Sequence, residues 1–161
     1  MGDVEKPAVL DAIRQLLREH GAEFSEMHHG PTRTSEEAAA ARGESTRIGG
    51  KAIVAKVGKT FHVFVISAAR QIHSAAIRKH LGASRFRFAT PAELLELTGV
   101  VPGCVPPFGR PILPLDLYVD SSILENDRIA FNAGSLTDSM IMDRRAWMEI
   151  ARPVEVFLFS R

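Results

Sequence analysis

One cysteine in the whole chain, Cys104, excludes an internal disulfide and a cysteine-based metal site, and fits a reducing compartment. No histidine is spaced to pair with it, so Cys104 reads as a small semi-buried hydrophobe rather than a nucleophile. No stretch approaches the roughly 18 apolar residues that a membrane helix needs. The N-terminal MGDVEKPAVLDAIRQ carries no signal core and, despite Gly2, lacks the serine or threonine of a myristoylation signal. The expectation is a cytoplasmic protein with no membrane partner. Also missing are Gly-x-x-x-x-Gly-Lys-Ser/Thr, Gly-x-Gly-x-x-Gly after a strand, Gly-x-Ser-x-Gly and His-Glu-x-x-His, which removes the common nucleotide, hydrolase and zinc signatures. There is no internal repeat, low-complexity tract or linker.

What is present suits one core. The 161 residues are 45% hydrophobic and 24% charged, enough for one domain spanning 1–161 and short for two. The net charge of +1 conceals an asymmetry, because Arg42–Arg87 holds ten Lys/Arg against one acidic residue, Glu44. Such a segment reads as a basic face toward a polyanion, or as cations spread around several elements that never form one patch.

The hydrophobic period places the elements. Pro7–His20 is an amphipathic helix with Leu10, Ile13, Leu16 and Leu17 on one side and Gly21 as its stop. A strand over Ala22–Met27 precedes a helix opened by the capping pattern Thr34-Ser35-Glu36-Glu37 and ended by Gly43. Lys51–Val57 and Thr60–Ser67, parted by Gly58-Lys59, form a hairpin. Helices follow over Ala68–Leu81 and from the Thr90 capping box to Gly99. Strands are expected at Leu115–Val119, Arg128–Phe131, Ser139–Met142 and Val154–Phe159, with Asp143 capping a last helix through Trp147. Strands that outnumber helices and adjoin through short turns indicate an α+β domain with a mixed, mostly antiparallel sheet.

Between two of these elements lies Gly99–Gly109, GVVPGCVPPFG, with three prolines and three glycines in eleven residues. It can enter neither a helix nor a central strand, yet it is apolar, which suits a rigid pocket wall better than a solvated connection. Lys51 opens an apolar strand after the flexible Gly49-Gly50 and can reach into a cleft as a point charge, although a solvated strand-end lysine explains it equally. Gly134, in Asn132-Ala133-Gly134, allows close backbone approach to a ligand or simply turns the chain. His28 and His29 point to opposite faces of a strand, which disfavours a chelate and leaves them surface or structural roles. Thr34 reads first as a helix cap.

Gly49–Lys51, Gly99–Gly109 and Asn132–Gly134, in this order, resemble the YbaK-like family of aminoacyl-tRNA deacylases, which includes free-standing relatives of the prolyl-tRNA synthetase editing domain. The likeness runs from about His29 to Phe159, and the proline-glycine loop is its specific part. It implies a compact domain with a mixed sheet that hydrolyses the ester of a mischarged tRNA, a small amino acid on tRNA-Pro or a related tRNA. It implies that Lys51 is the residue on which activity most depends, holding the tRNA 3′ end. Gly99, Pro102, Gly103, Pro107, Phe108 and Gly109 would wall the aminoacyl pocket and offer backbone donors, and Gly134 would bring the backbone to the substrate. No cofactor and no metal are implied. The partners are the acceptor end of an aminoacyl-tRNA, whose phosphates the basic segment would meet, and transiently an aminoacyl-tRNA synthetase. A binding module of the same lineage, without turnover, is the alternative. Alanine-specific members carry a histidine shortly after the glycine matching Gly134, whereas here Ser135-Leu136-Thr137-Asp138-Ser139 follows. That departure counts against alanine and leaves another small amino acid, or a differently built pocket, open.

Overall fold

The local chemistry of caps and turns sets most element ends in the computed structural model, which describes residues 5–161 and side chains from residue 8 onward. The helices are α1 (Glu5–Glu19), α2 (Ser35–Arg42), α3 (Ser74–Leu81), α4 (Pro91–Thr98) and α5 (Arg144–Ala151). The strands are β1 (Phe24–His28), β2 (Gly50–Val57), β3 (Thr60–Ser67), β4 (Phe86–Phe88), β5 (Asp116–Asp120), β6 (Arg128–Asn132), β7 (Asp138–Asp143) and β8 (Glu155–Phe157). Both expected capping boxes form: Thr34 and Thr90 each accept from the backbone of a Glu three residues on, whose side chain answers the cap N–H. Asp143 caps α5 through Ala146 N–H at 2.9 Å.

The strands form two sheets rather than one. β4-β2-β3-β5-β8 is mixed, with β2 antiparallel to β3 and β4, and β5 parallel to β3 and β8. β1-β7-β6 is wholly antiparallel. A β-bridge between Gly49 and Ala130 links the two sheets, which also share the main core. β3 is central and buried on both faces, hence its nearly unbroken run Val63-Phe64-Val65-Ile66. Alternation sends Val63 and Val65 into the main core with Ile13, Leu17, Leu117, Phe131 and Trp147, while Phe64 and Ile66 meet Ile77, Tyr118 and Phe159 in a second cluster.

Two departures from the sequence reading have physical causes. The helix expected from Ala68 begins only at Ser74, because the preceding amides are taken elsewhere: Ala68 N–H by Gly49, Gln71 N–H by Arg161 and His73 N–H by Phe159. β4, which no sequence expectation covered, pairs Phe86–Phe88 with the far end of β2. Only three residues long, it carries no readable period.

The buried Asp120, at the end of β5, anchors the C-terminal segment. It accepts from Ser122 N–H at 3.0 Å, Phe159 N–H at 2.6 Å and Ser160 Oγ–H at 2.6 Å. Three charge-assisted bonds supply what a buried carboxylate loses on leaving water.

Candidate functional site: a basic cleft at the open edge of β2

The cleft arises where β2 lacks a neighbour. β4 pairs only Ala55–Val57, and Gly49 bridges Ala130, so among the described residues the outer edge from Lys51 to Ile53 has no strand partner. A cavity of about 740 Å³ opens there, lined by α2, the start of β2, Ala68–Gln71, the tip of β4, Pro102-Gly103 and β6. Much of its wall is small: Ala38, Ala39, Gly49, Gly50, Ala68 and Ala130.

Gly49 and Gly50 are contact residues rather than a flexible hinge. A Cβ on Gly50 would lie 2.5 Å from Ile129 Cδ1, and one on Gly49 would lie 2.9 Å from Ala68 Cβ. The pair lets β2 approach β6, which brings Lys51 and Asn132 to one cavity. Lys51 is exposed and, among the described residues, has no carboxylate partner. Arg33, Arg42 and Arg70 line the same space, against Glu36 as the one carboxylate of the lining. The cleft therefore favours anions.

The proline-glycine loop divides. Pro102 and Gly103 are exposed and line the cleft, joined there by the buried Val105. Cys104 and the residues through Gly109 are buried. Phe108 is 1% exposed and packs edge-on against Phe131 with centroids 5.6 Å apart. The Pro107 carbonyl accepts from Trp147 Nε1–H at 3.0 Å. Gly109 has no room for a side chain, since a Cβ would meet the Leu115 carbonyl at 2.6 Å. Gly99 closes α4 in the left-handed conformation, φ 76°. Gly134 has φ 81° and faces α1, where a Cβ would come within 2.7 Å of Val9 Cγ1. Of the residues expected at the site, Lys51, Pro102 and Gly103 meet at the cavity. Gly99, Pro107, Phe108, Gly109 and Gly134 stand outside its lining, holding the loop and β6 in place.

A polar network at the cavity wall joins α2, β6, β7, the Gly103 loop and His29, and carried no combined signal in the sequence. Arg42 donates from Nε to Ser139 Oγ at 3.0 Å and from Nη2 to Asn132 Oδ1 at 2.9 Å. Asn132 Nδ2 donates to the Gly103 carbonyl at 2.7 Å, tying the loop to β6. His29 Nε2 lies 2.8 Å from Ser139 Oγ. Burial pulls the Arg42 pKa down to about 10. In the sequence Arg42 looked like an ordinary cation in a last helical turn, and only Asn132 carried a signal, through its motif. His28 meets Asp138 at 3.0 Å on the surface, in keeping with its structural reading. Burial raises the Asp138 carboxyl, but bonds from His28, Ser135 and Thr137 outweigh it and leave the pKa low.

Cations of the basic segment line two grooves. Arg42, Lys51 and Arg70 line the cleft, while Lys56, Arg78, Arg85 and Arg87 line a second groove of about 510 Å³ near the other end of β2. Among the described residues, no group of three His, Cys, Asp or Glu is placed to hold a metal, and no helix is long and apolar enough to cross a membrane.

The chain is similar to known proteins over most of its length. Over 152 residues the chain is 39% identical to the multifunctional Ser/Thr-tRNA deacylase ProXp-y of Escherichia coli strain K12, covering 91% of this chain and 89% of the relative. The crystal structure of a candidate trans-editing enzyme for prolyl tRNA synthetase superposes with a TM-score of 0.79 at 25% identity, covering 94% of this chain and 96% of that one. Hypothetical protein APE2540 superposes with a TM-score of 0.82 at 25% identity, covering 92% and 99%. Residues 29–150, which hold every cleft-lining residue, match the aminoacyl-tRNA editing domain family, and the chain belongs to that family.

Proposed function

We propose that this protein is a trans-editing aminoacyl-tRNA deacylase that removes serine or threonine from mischarged tRNA. The observation that carries the reading is an exposed Lys51 at the edge of β2, without a carboxylate partner among the described residues, in the same cation-rich cleft as Pro102-Gly103. The substrate class follows the E. coli relative, and the absence of a histidine in Ser135–Ser139 agrees with a specificity other than alanine.

An aminoacyl ester is already activated, so a held water or the neighbouring ribose hydroxyl suffices once charge on the carbonyl oxygen is stabilised. Lys51 supplies a point charge to the 3′ end, at the terminal ribose or its ester. Pro102 and Gly103 form a rigid wall, and the small Ala38, Ala39, Gly49 and Gly50 leave room beside Lys51 for an aminoacyl ester. Lining residues include no histidine or cysteine, and no enzyme-bound acyl intermediate is required. Such an enzyme works where translation does, in the cytoplasm, and can meet a synthetase as the charged tRNA is released.

The test is a deacylation screen with tRNAs charged with serine, threonine, alanine, cysteine or proline. Seryl and threonyl esters should be cleaved fastest. Cleavage of alanyl ester alone would overturn the specificity, and tRNA binding without turnover of any ester would establish the binding-module alternative.

A further inference from the structure

The four cations of the cleft differ in what answers their charge. Lys51 and Arg33 are exposed and keep their water. Arg70 is half-buried, but its Nε donates to Ser160 Oγ at 2.7 Å, and that hydroxyl donates to the Asp120 carboxylate at 2.6 Å. Its charge is met through one hydroxyl. Arg42 is also half-buried, and it is held by two neutral acceptors, Ser139 and Asn132. Among the described residues no carboxylate pairs with it.

A position in the last turn of α2 favours a cation through the helix dipole, but a side chain reaching into solvent would satisfy that. It does not explain a guanidinium turned toward β6 and β7. A guanidinium has five N–H donors, and the bonds of Arg42 to Ser139 and Asn132 use two. Its Nη1 lies beside the start of β2, 3.8 Å from where a Cβ of Gly49 would stand. A cation drawn from water without a counter-charge is costly unless a ligand brings one. Resting on the proposed substrate, the candidates are few. The aminoacyl ammonium is positive, ester and ribose are neutral, and the fixed negative charges are phosphodiesters. The nearest is on the 5′ side of the terminal adenosine.

We infer that Arg42 is the phosphate subsite of the cleft: its remaining N–H donors take the 5′-phosphate of the terminal nucleotide, while Asn132 and Ser139 hold the guanidinium plane. The same Asn132 also grips Gly103, so the subsite and the pocket wall are set by one side chain. A planar fork matches phosphate geometry, which an exposed lysine on a flexible stem does not.

The test compares binding of adenosine and adenosine 5′-monophosphate by calorimetry, which needs no turnover. The wild-type protein should bind the monophosphate at least about tenfold more tightly, the worth of a charge-assisted contact. Arg42→Met should bring the ratio near one, with Arg42→Lys between, and Lys51→Met should lower it less than Arg42→Met does. A wild-type ratio near one, a ratio that survives Arg42→Met, or one lost only in Lys51→Met would each overturn the assignment. If Arg42→Met does not fold, an undiminished ratio in Arg42→Lys overturns it equally. Seryl esters of adenosine and of cytidylyl-adenosine, assayed alongside, test the deacylase reading separately: failure to cleave either strikes that reading, while the binding ratio still judges Arg42.

Discussion

The two ends of the Gly99–Gly109 segment share a composition and differ in use. Pro102 and Gly103 stand at the cavity, whereas Pro107, Phe108 and Gly109 are buried against Trp147, Phe131 and Leu115. One end shapes a surface; the other anchors that surface to the core. A wall made of prolines is rigid only if its far end is fixed, and the Trp147 indole N–H and the Phe108 ring do the fixing. Binding and packing are therefore separable by mutation, although they sit within a few residues of each other.

The largest effect should come from the anchor. Phe108→Ala should cost about 3–5 kcal/mol of stability, read as a loss in the midpoint of urea unfolding. If it unfolds the protein no more than an exposed substitution does, the packing assignment is wrong. Lys51→Ala should do the opposite, lowering kcat/KM for a seryl- or threonyl-tRNA about 10²-fold or more while leaving the melting temperature nearly unchanged. Equal activity in that variant would remove Lys51 from the site. Gly134→Ala sharpens the comparison, because it was expected at the substrate and lies against α1. With φ 81° and Val9 in the way, it should destabilise by about 1–3 kcal/mol. Its activity per folded molecule should be retained, and a lost activity with unchanged stability would return Gly134 to the substrate.

The smallest effect lies outside both regions, at His62. Among the described residues its buried Nδ1 has no hydrogen-bond partner, and desolvation lowers its pKa, partly opposed by the nearby Asp116. The unfolded chain then binds the proton more readily, so this residue lowers stability as pH falls below its ordinary value of 6.5. Melting temperatures between pH 7.5 and pH 5.5 should fall less in His62→Phe than in the wild type. Identical slopes would show that His62 does not titrate on unfolding.

The helices opened by Thr34, Thr90 and Asp143 and the hairpin at Gly58-Lys59 were legible because capping and turn chemistry act within four residues. The motif residues were legible as a set, and Gly49, Gly50, Lys51, Pro102, Gly103, Val105 and Asn132 among them line the cavity. Gly99, Pro107, Phe108, Gly109 and Gly134 fall outside the cavity lining, a difference that the one-dimensional motif does not show. The delayed start of α3 depended on acceptors at Gly49, Phe159 and Arg161, remote in the chain.

By itself, then, the sequence determined most local elements and the family resemblance, which rest on short-range patterns. Tertiary structure alone decided that two sheets meet at Gly49 and Ala130, that the basic segment parts into two grooves, and that Arg42 turns inward to Asn132 and Ser139. The physical reason is that counter-charge, burial and close backbone approach are properties of neighbours in space. Arg42 lies 90 or more residues from the partners that hold it.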